Sequence, residues 1–364
     1  MWFDKAAVEK LNTEGRRIIV ISDIHANMPY FTALLEKVNF CADDILILNG
    51  DFLEKGDKSL ETLRYVMKLC EGGNVYPVCG NCDSWAEIVD GETYYIPPRL
   101  LKYMLFRKSG LCWDMFHEMG VELSEGMDLE PYMQELGERF RPEWDFLGAI
   151  PQIIETPHYI FVHGGIKPGV PLEEQMAGDC MKYDNFRSYG YKFDKWVIVG
   201  HWPVMLYLED HVCANPIIDK DEHIISLDGG CVLKDDGQLN ALIIPYEGSE
   251  DFSFVAYDPF PVKTVKSYQA KGEKSYYIRW GDNEVQVLSR GEEFSHCRHI
   301  RTGYEMDVLT KYLFSDEEIC KINDSTDLVL ELHPGDEVSV IEETSRGYLV
   351  KHKGTSGWYF GELE

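Results

Sequence analysis

The stretch of sequence that decides the fold is RIIVISDIHANMPYFTALLEKVNFCADDILILNGD, residues 17–51. It starts with a β-branched run at 17–22, which predicts a strand ending at an aspartate. Apolar residues then recur with helical spacing from Pro29 to Val38, and a second apolar run follows at 45–48. Each apolar run leads directly into polar residues. Strand, helix and strand in this order predict an α/β sheet with helices on its faces.

The same alternation continues along the chain. A helix is predicted at 58–70, a strand at 75–78 and a mostly helical segment at about 84–147. Further strands are predicted at 158–162, 196–199, 223–227 and 239–244. The predicted fold class is therefore α/β up to about residue 255, and a small β-rich region follows at 256–364.

The composition narrows the class of protein. The chain has 364 residues and carries 35 Lys and Arg against 63 Asp and Glu, a net charge of −28. This balance argues against nucleic-acid binding, for which basic surface supplies most of the affinity, and against docking on anionic membranes. A hydrophobic content of 45% excludes global disorder.

The ten cysteines are spread along the chain and do not resemble the framework of a small secreted protein. The N-terminal residues show no signal-peptide pattern, and no apolar run reaches the roughly 20 residues that span a bilayer. We therefore expect a soluble cytoplasmic protein. Cys79 and Cys82 form a CxxC motif without a second CxxC, so we expect Cys79 to be a core residue rather than a zinc or redox ligand.

Five polar clusters each follow directly on a predicted strand. In open α/β sheets the carboxyl ends of the strands converge on one crevice, so we expect these clusters to meet in space. They supply six candidate metal ligands, which are Asp23, His25, Asp51, Asn81, His163 and His201. Asp228 also follows a strand, and we expect it to be a turn residue.

The donor types of this set are coherent. Three imidazoles, two carboxylates and one amide suit divalent ions such as Mn, Fe or Zn better than they suit a calcium cage. The set can hold two ions if one aspartate bridges them. Such a pair lowers the pKa of a bridging water and stabilises charge on a transferring phosphoryl group.

The clusters have the form DxH, GDxxxxG, GN-x-D, HGG and GH, in this order. With these motifs, residues 17–245 resemble the calcineurin-like metallophosphoesterase superfamily. The stretch FVHGGIKPGVPLEEQ at 161–175 resembles its phosphoprotein phosphatase and diadenosine tetraphosphatase branch, and Pro203 is typical of that branch. The resemblance implies a β-sandwich flanked by helices, in a catalytic domain at 1–255 with a helical insertion at 84–147.

The resemblance also implies a dinuclear centre. One ion would take ligands from the first two strands, which are Asp23, His25 and Asp51. The second ion would share Asp51 and add the remaining ligands, which are Asn81, His163 and His201. A metal-bridging hydroxide would then attack phosphorus.

Two positions depart from the branch pattern. The branch has GDxVDRG, whereas this chain has GDFLEKG. Glu54 therefore replaces an aspartate, and Lys55 replaces an arginine that binds phosphate. Cys82, beside Asp83, replaces the histidine that protonates the leaving group. We therefore expect weak activity on alkyl phosphomonoesters and better activity on activated esters, diesters or anhydrides. Arg187 is either a second phosphate clamp or a surface residue.

Three functions stay open. The first is a serine/threonine protein phosphatase-like enzyme that hydrolyses phosphoproteins or small phosphoesters. The second is a dinucleoside polyphosphate hydrolase or phosphodiesterase. The third is a catalytically weak metal-binding scaffold that acts through its C-terminal region.

The C-terminal region has its own patterns. Residues 327–364 resemble a small Src-homology-3-like barrel, which implies a possible peptide or protein partner; packing on the catalytic domain or dimerisation are alternatives. A helix is predicted at 305–314.

Overall fold

The computed structural model describes residues 4–90 and 93–364. Its α-helices among these residues are α1 (Met28–Lys37), α2 (Ser59–Cys70), α3 (Leu100–Arg107), α4 (Leu111–Glu118), α5 (Met133–Arg139), α6 (Arg141–Ala149) and α7 (Ala177–Met181). Its strands are β1 (Val8–Lys10), β2 (Ile18–Ile21), β3 (Ile45–Asn49), β4 (Val75–Val78), β5 (Val89–Asp90), β6 (Thr93–Tyr94), β7 (Ile153–Glu155), β8 (Tyr159–Val162), β9 (Trp196–Val199), β10 (Val212–Cys213), β11 (Ile217–Asp219), β12 (Ile224–Ser226), β13 (Leu239–Ile244), β14 (Ser253–Tyr257), β15 (Val262–Thr264), β16 (Tyr277–Ile278), β17 (Glu284–Ser289), β18 (Phe294–His299), β19 (Glu305–Leu309), β20 (Ile319–Lys321), β21 (Ser325–Thr326), β22 (Glu337–Thr344), β23 (Gly347–His352) and β24 (Thr355–Tyr359).

The chain divides into two compact units. The first contains the described residues up to Pro203, together with Pro216–Leu233 and Gly237–Asp258. The second contains Val204–Asn215, Lys234–Asp236 and Pro259–Glu364. The second unit thus includes two short segments from the part of the chain that precedes residue 255.

The first unit is built on two sheets. One has the strand order β14-β13-β2-β3-β4, with β2, β3 and β4 parallel, and the other has the order β1-β7-β8-β9-β12-β11. Ile18 and Val20 pack in a core shared with the second sheet, while Ile19 and Ile21 pack in a core shared with α1 and α2. Because both faces are covered, these strands are continuous apolar runs rather than alternating ones. This is the predicted α/β sandwich flanked by helices.

Residues 84–147 contain α3, α4, α5 and most of α6. Side chains of these helices, among them Leu111, Phe116 and Trp144, are buried in the core that also covers the outer face of β2 and β3. In the same segment β5 pairs antiparallel with β6, which the apolar pattern did not predict. No helix among the described residues has the length and apolar character needed to cross a bilayer.

The second unit contains a four-stranded antiparallel sheet, β19-β18-β17-β20, and a five-stranded antiparallel sheet, β10-β24-β23-β22-β15. The five-stranded sheet takes β22, β23 and β24 from the last forty residues and its two edge strands from elsewhere in the chain. The comparison of residues 327–364 with a Src-homology-3-like barrel stays a prediction.

The helix predicted at 305–314 is wrong. Residues 305–309 form β19, which pairs with β18, and a single 3-10 turn follows at Thr310–Tyr312. Met306 and Val308 are buried, whereas Glu305 and Asp307, which alternate with them, are exposed. This period of two is the pattern of a strand with one face on a core.

Candidate metal centre

The six candidate ligands all follow the carboxyl ends of strands in the first unit: β2, β3, β4, β8 and β9. Ligating atoms of His25, Asp51 and Cys82 lie within 4.8 Å of one another, and so do those of Asp51, His163 and His201. Asp51 belongs to both groups. The two groups therefore form one polar cluster that is centred on the loop after β3.

Hydrogen bonds between loops hold these residues in place. Asp23 N donates to Gly50 O at 3.0 Å, and His25 N donates to Asp51 O at 2.9 Å. Asp23, His25, Asp51 and His201 have φ values of 59°, 50°, 54° and 64°. This left-handed conformation is strained for residues with a Cβ, and such strain is found mainly at functional sites.

Each histidine of the cluster is oriented by a hydrogen bond on one ring nitrogen. His163 Nδ1 lies 2.9 Å from Asn49 O, and His25 Nδ1 lies 3.4 Å from Leu53 O. In a neutral ring, a proton on Nδ1 leaves the lone pair on Nε2, which points into the cluster. His201 uses the other nitrogen, since its Nε2 lies 2.7 Å from Asp184 Oδ1. Metal-binding histidines are typically fixed in this way.

Four buried atoms of the candidate ligands make no hydrogen bond with the described residues. They are Asp23 Oδ1, His25 Nε2, Asn81 Oδ1 and His163 Nε2. Nearly all buried polar atoms in folded proteins have a partner, so four such atoms in one cluster need an explanation. All are oxygen or nitrogen donors of the kind that bind divalent ions. The residues present therefore fit a metal centre.

The charges of the cluster point to the same conclusion. Burial raises the pKa of Asp23, and the nearby Asp228 carboxylate raises it further. Burial also lowers the pKa of His25 to about 4, so its ring is neutral and able to bind an ion at pH 7. Burial opposes charge on His163 too, but the carboxylates of Asp51 and Asp23 raise its pKa to about 10. The shifts of Asp23 and His163 reflect the neighbouring carboxylates of Asp228, Asp51 and Asp23, whose negative charge a divalent cation would balance.

Asp83 is fully buried and supports the backbone of the centre. Its carboxylate accepts hydrogen bonds from Asp51 N at 2.6 Å, Gly80 N at 3.0 Å and Leu53 N at 3.1 Å. It thereby joins the loop after β3 to the loop after β4. A Cβ on Gly80 would lie 2.2 Å from Asp51 Oδ1, so the two loops can approach this closely only with glycine at that position.

Glu54 is buried and its carboxylate faces the helical segment. Glu54 Oε1 accepts from the backbone N–H of Leu111, the first residue of α4, at 2.7 Å, and Oε2 accepts from Tyr103 Oη at 2.7 Å. A carboxylate at a helix N-terminus satisfies a backbone donor and interacts favourably with the helix dipole. In this structure Glu54 ties the loop after β3 to α3 and α4.

The sulfur of Cys82 belongs to the cluster, and Lys55 lies on the loop after β3. Burial is the largest influence on the pKa of both His25 and Cys82, and the positive charge of Lys55 lowers both pKa values as a smaller effect. Burial nevertheless raises the pKa of the Cys82 thiol well above its ordinary value, and the Asp51 carboxylate adds to this effect. Cys82 N donates to Asp51 Oδ1 at 2.8 Å.

Arg187 forms an ion pair at 2.7 Å with Asp219. The guanidinium of Arg187 thereby joins the 186–189 turn to β11. Cys79 is fully buried, and all ten cysteines, each within the described residues, are free.

Further residues support the cluster, and the sequence did not indicate this role for them. Ser22 Oγ lies 2.5 Å from Asp23 Oδ2 and 2.9 Å from Asn49 O, within hydrogen-bond distance of both. Asp228, which we expected to be a turn residue, accepts a turn-type bond from Gly230 N at 2.8 Å but also adds its charge to the cluster. Asp184 has no signal in the sequence, because it lies in an irregular segment 17 residues before the histidine that it contacts.

The chain is similar to known phosphoesterases. A family model described as calcineurin-like phosphoesterase matches residues 16–217. The symmetrical bis(5'-nucleosyl)-tetraphosphatase of Neisseria meningitidis is 28% identical over 192 residues, which cover 48% of this chain and 56% of that protein. The asymmetrical bis(5'-nucleosyl)-tetraphosphatase of Bacillus velezensis is 24% identical over 248 residues, which cover 58% of this chain and 84% of that protein.

Among solved structures, a serine/threonine protein phosphatase from Saccharomyces cerevisiae matches with a TM-score of 0.42 and 10% identity, over 71% of this chain and 85% of that one. The chain spans less than two thirds of the length of the first curated relatives that it matches. The family model covers more than half of the chain. This protein therefore belongs to the calcineurin-like phosphoesterase family.

Proposed function

We propose that this protein is a hydrolase for phosphoric anhydrides and esters, with dinucleoside polyphosphates as its preferred substrates. The family uses a dinuclear centre of divalent metal ions. In this chain the ions would be held by the six candidate ligands, Asp23, His25, Asp51, Asn81, His163 and His201. When bound, two such ions activate water and stabilise charge on the phosphoryl group.

We choose this substrate class because Cys82, a buried thiol, stands where the resembling branch has a histidine that protonates the leaving group. Because burial raises its pKa, the thiol is a poor proton donor at neutral pH. An alkoxide leaving group needs a proton, whereas a nucleotide leaves as a stable anion. Lys55 would hold a phosphate oxygen as a point charge. This arrangement favours anhydrides over alkyl monoesters, and the similarity to the two bis(5'-nucleosyl)-tetraphosphatases described above supports the same substrate class.

A substrate screen tests this proposal. The Mn-loaded protein would be given diadenosine tetraphosphate, bis-p-nitrophenyl phosphate, p-nitrophenyl phosphate and a phosphoserine peptide. We expect the highest kcat/KM with diadenosine tetraphosphate and the lowest with the phosphoserine peptide. A higher value for the peptide would contradict the proposal.

Phosphoserine and phosphothreonine in basic peptides are the second candidate substrates. The net charge of −28 favours them, because it attracts basic peptides and repels polyanions at long range. The peptide in the screen separates the two candidates. A scaffold without turnover would show no hydrolysis of any substrate.

Replacing Cys82 by histidine supplies the missing proton donor. Since general acid catalysis contributes about 10²–10⁴-fold, we expect Cys82→His to raise kcat for a phosphoserine peptide by about 10-fold or more. Turnover of diadenosine tetraphosphate, whose leaving group needs no proton, should change little. The control is Cys82→Ala, which removes the thiol without adding an acid. A lower peptide turnover in Cys82→His, with unchanged metal content, would show that Cys82 itself has the catalytic role.

A further inference from the structure

An aromatic cluster lies in the segment between α7 and β9 of the first unit. Its rings pack edge-to-face or stacked, with centroids 5.0–6.4 Å apart. We call it the tyrosine cluster; its members are Tyr183, Phe186, Tyr189, Tyr191 and Phe193. Phe186 is buried in a hydrophobic core, and Tyr183, Tyr191 and Phe193 pack against it, whereas Tyr189 is exposed.

The tyrosine cluster packs directly on the loop that carries His163. A Cβ on Gly165 would lie 2.5 Å from the ring of Phe186, so the loop can contact this ring closely only with glycine there. On the same segment, Asp184 follows Tyr183 and contacts His201 Nε2 at 2.7 Å. The cluster therefore adjoins two of the candidate metal ligands.

One ring of the cluster is held in place yet open to solvent. Tyr189 is 53% exposed, and its ring stacks on Tyr191 at 5.4 Å with an interplanar angle of 25°. The edge of Tyr183 supports it at 5.0 Å, and Tyr183 Oη lies 3.1 Å from Tyr191 Oη. An exposed aromatic ring that is fixed by its neighbours offers a preorganised surface for stacking.

The charge around the cluster differs from that of the whole chain. Residues 182–195 contain four basic and two acidic residues, whereas the chain as a whole carries −28. Arg187, Lys195 and Lys182 pair with acidic side chains, Lys182 with Asp184 at 3.9 Å, and both Lys182 and Lys192 are exposed to solvent. This surface suits a ligand that combines an aromatic ring with phosphate groups.

We propose that Tyr189 stacks on a nucleobase of the substrate while the phosphates of that substrate lie at the metal centre. This inference rests on the proposed function, because it assigns the base-binding part of a dinucleoside polyphosphate site. Stacking of a base on an aromatic side chain is tolerant of base identity, since every base has a π face. Tyr189 is then a specificity residue for nucleotides over phosphates that lack a base.

The test compares substrates with and without a base. Kinetics of the Mn-loaded protein would be measured with diadenosine tetraphosphate and with inorganic tripolyphosphate. Binding of the methylene-bridged analogue of diadenosine tetraphosphate would be measured by calorimetry. The variants are Tyr189→Ala, Tyr189→Phe and, as a matched control, Tyr246→Ala, which removes another tyrosine of the first unit that is 54% exposed.

We expect Tyr189→Ala to raise both the KM for diadenosine tetraphosphate and the Kd of the analogue about 10-fold, the size of one lost stacking contact. Its kcat and its KM for tripolyphosphate should not change. Tyr189→Phe and Tyr246→Ala should behave as the wild type.

The inference is overturned if Tyr189→Ala binds the analogue as tightly as the wild type, or if the wild type does not bind the analogue. It is also overturned if Tyr189→Ala raises the KM for diadenosine tetraphosphate and the KM for tripolyphosphate by the same factor. Turnover of diadenosine tetraphosphate that does not depend on Tyr189 overturns this inference and leaves the proposed function intact. Tyr189-dependent binding without turnover supports the inference and overturns the proposed function.

Discussion

Replacing Asp51 by asparagine should abolish hydrolysis, with kcat/KM falling by about 10³-fold or more, since the two ions supply several kcal/mol of transition-state stabilisation. Asp51 is the residue shared by both groups of candidate ligands. Although burial would raise the pKa of its carboxyl, His163 and His25 hold that pKa below the ordinary range, so the group is ionised. An asparagine keeps the shape of the side chain but removes the negative charge that a bridging ligand needs.

Asp57→Asn is the matched control, because it makes the same chemical change at an exposed position of the same loop. It should leave the kinetics within about 2-fold of the wild type, as surface substitutions usually do. Activity of Asp51→Asn that stays above one tenth of the wild-type value would contradict the assignment of Asp51 as the shared ligand. Circular dichroism of both variants would show that the fold is retained.

The second large effect is expected at Asp83, on stability as well as on activity. Asp83→Ala removes a fully buried carboxylate. The backbone N–H groups of Asp51, Leu53 and Gly80 then lose their hydrogen-bond acceptor. Each buried donor without a partner costs about 1–3 kcal/mol, so the free energy of unfolding should fall by about 3 kcal/mol or more. Activity should fall as well, because the same bonds hold Asp51 in position.

Urea unfolding, followed by circular dichroism, measures this loss from the shift of the midpoint and the m-value. The control is Asp128→Ala, which removes an exposed aspartate that accepts one backbone bond, from Glu130 N at 3.1 Å. We expect this control to lose less than about 1 kcal/mol. Equal losses in the two variants would show that Asp83 does not tie the two loops together.

Much of the first unit follows from local patterns in the sequence. A strand that is buried on both faces is an apolar run of four or five residues, and the polar residues after it mark its carboxyl end. This is why the positions of Asp23, Asp51, His163 and His201 could be predicted before any coordinates. Their convergence then follows from the rule that such strand ends meet at one edge of the sheet.

Contacts between distant residues could not be predicted in this way. Glu54 binds the N-terminus of α4 from a position 57 residues earlier, and nothing in either segment indicates its partner. Asp184 reaches His201 from an irregular segment for the same reason. The wrong helix at 305–314 has a different cause. β19 has only five residues, which is too few for the apolar periodicity to distinguish a strand from a helix. Its pairing with β18 decides that this segment is a strand.

We expect the cluster around Asp51 to hold two divalent ions. The most direct test is the metal content of the wild-type protein, loaded with Mn, passed through gel filtration and analysed by inductively coupled plasma mass spectrometry. A dinuclear site predicts about two ions per chain. A folded wild-type protein that retains one ion or none would contradict the claim.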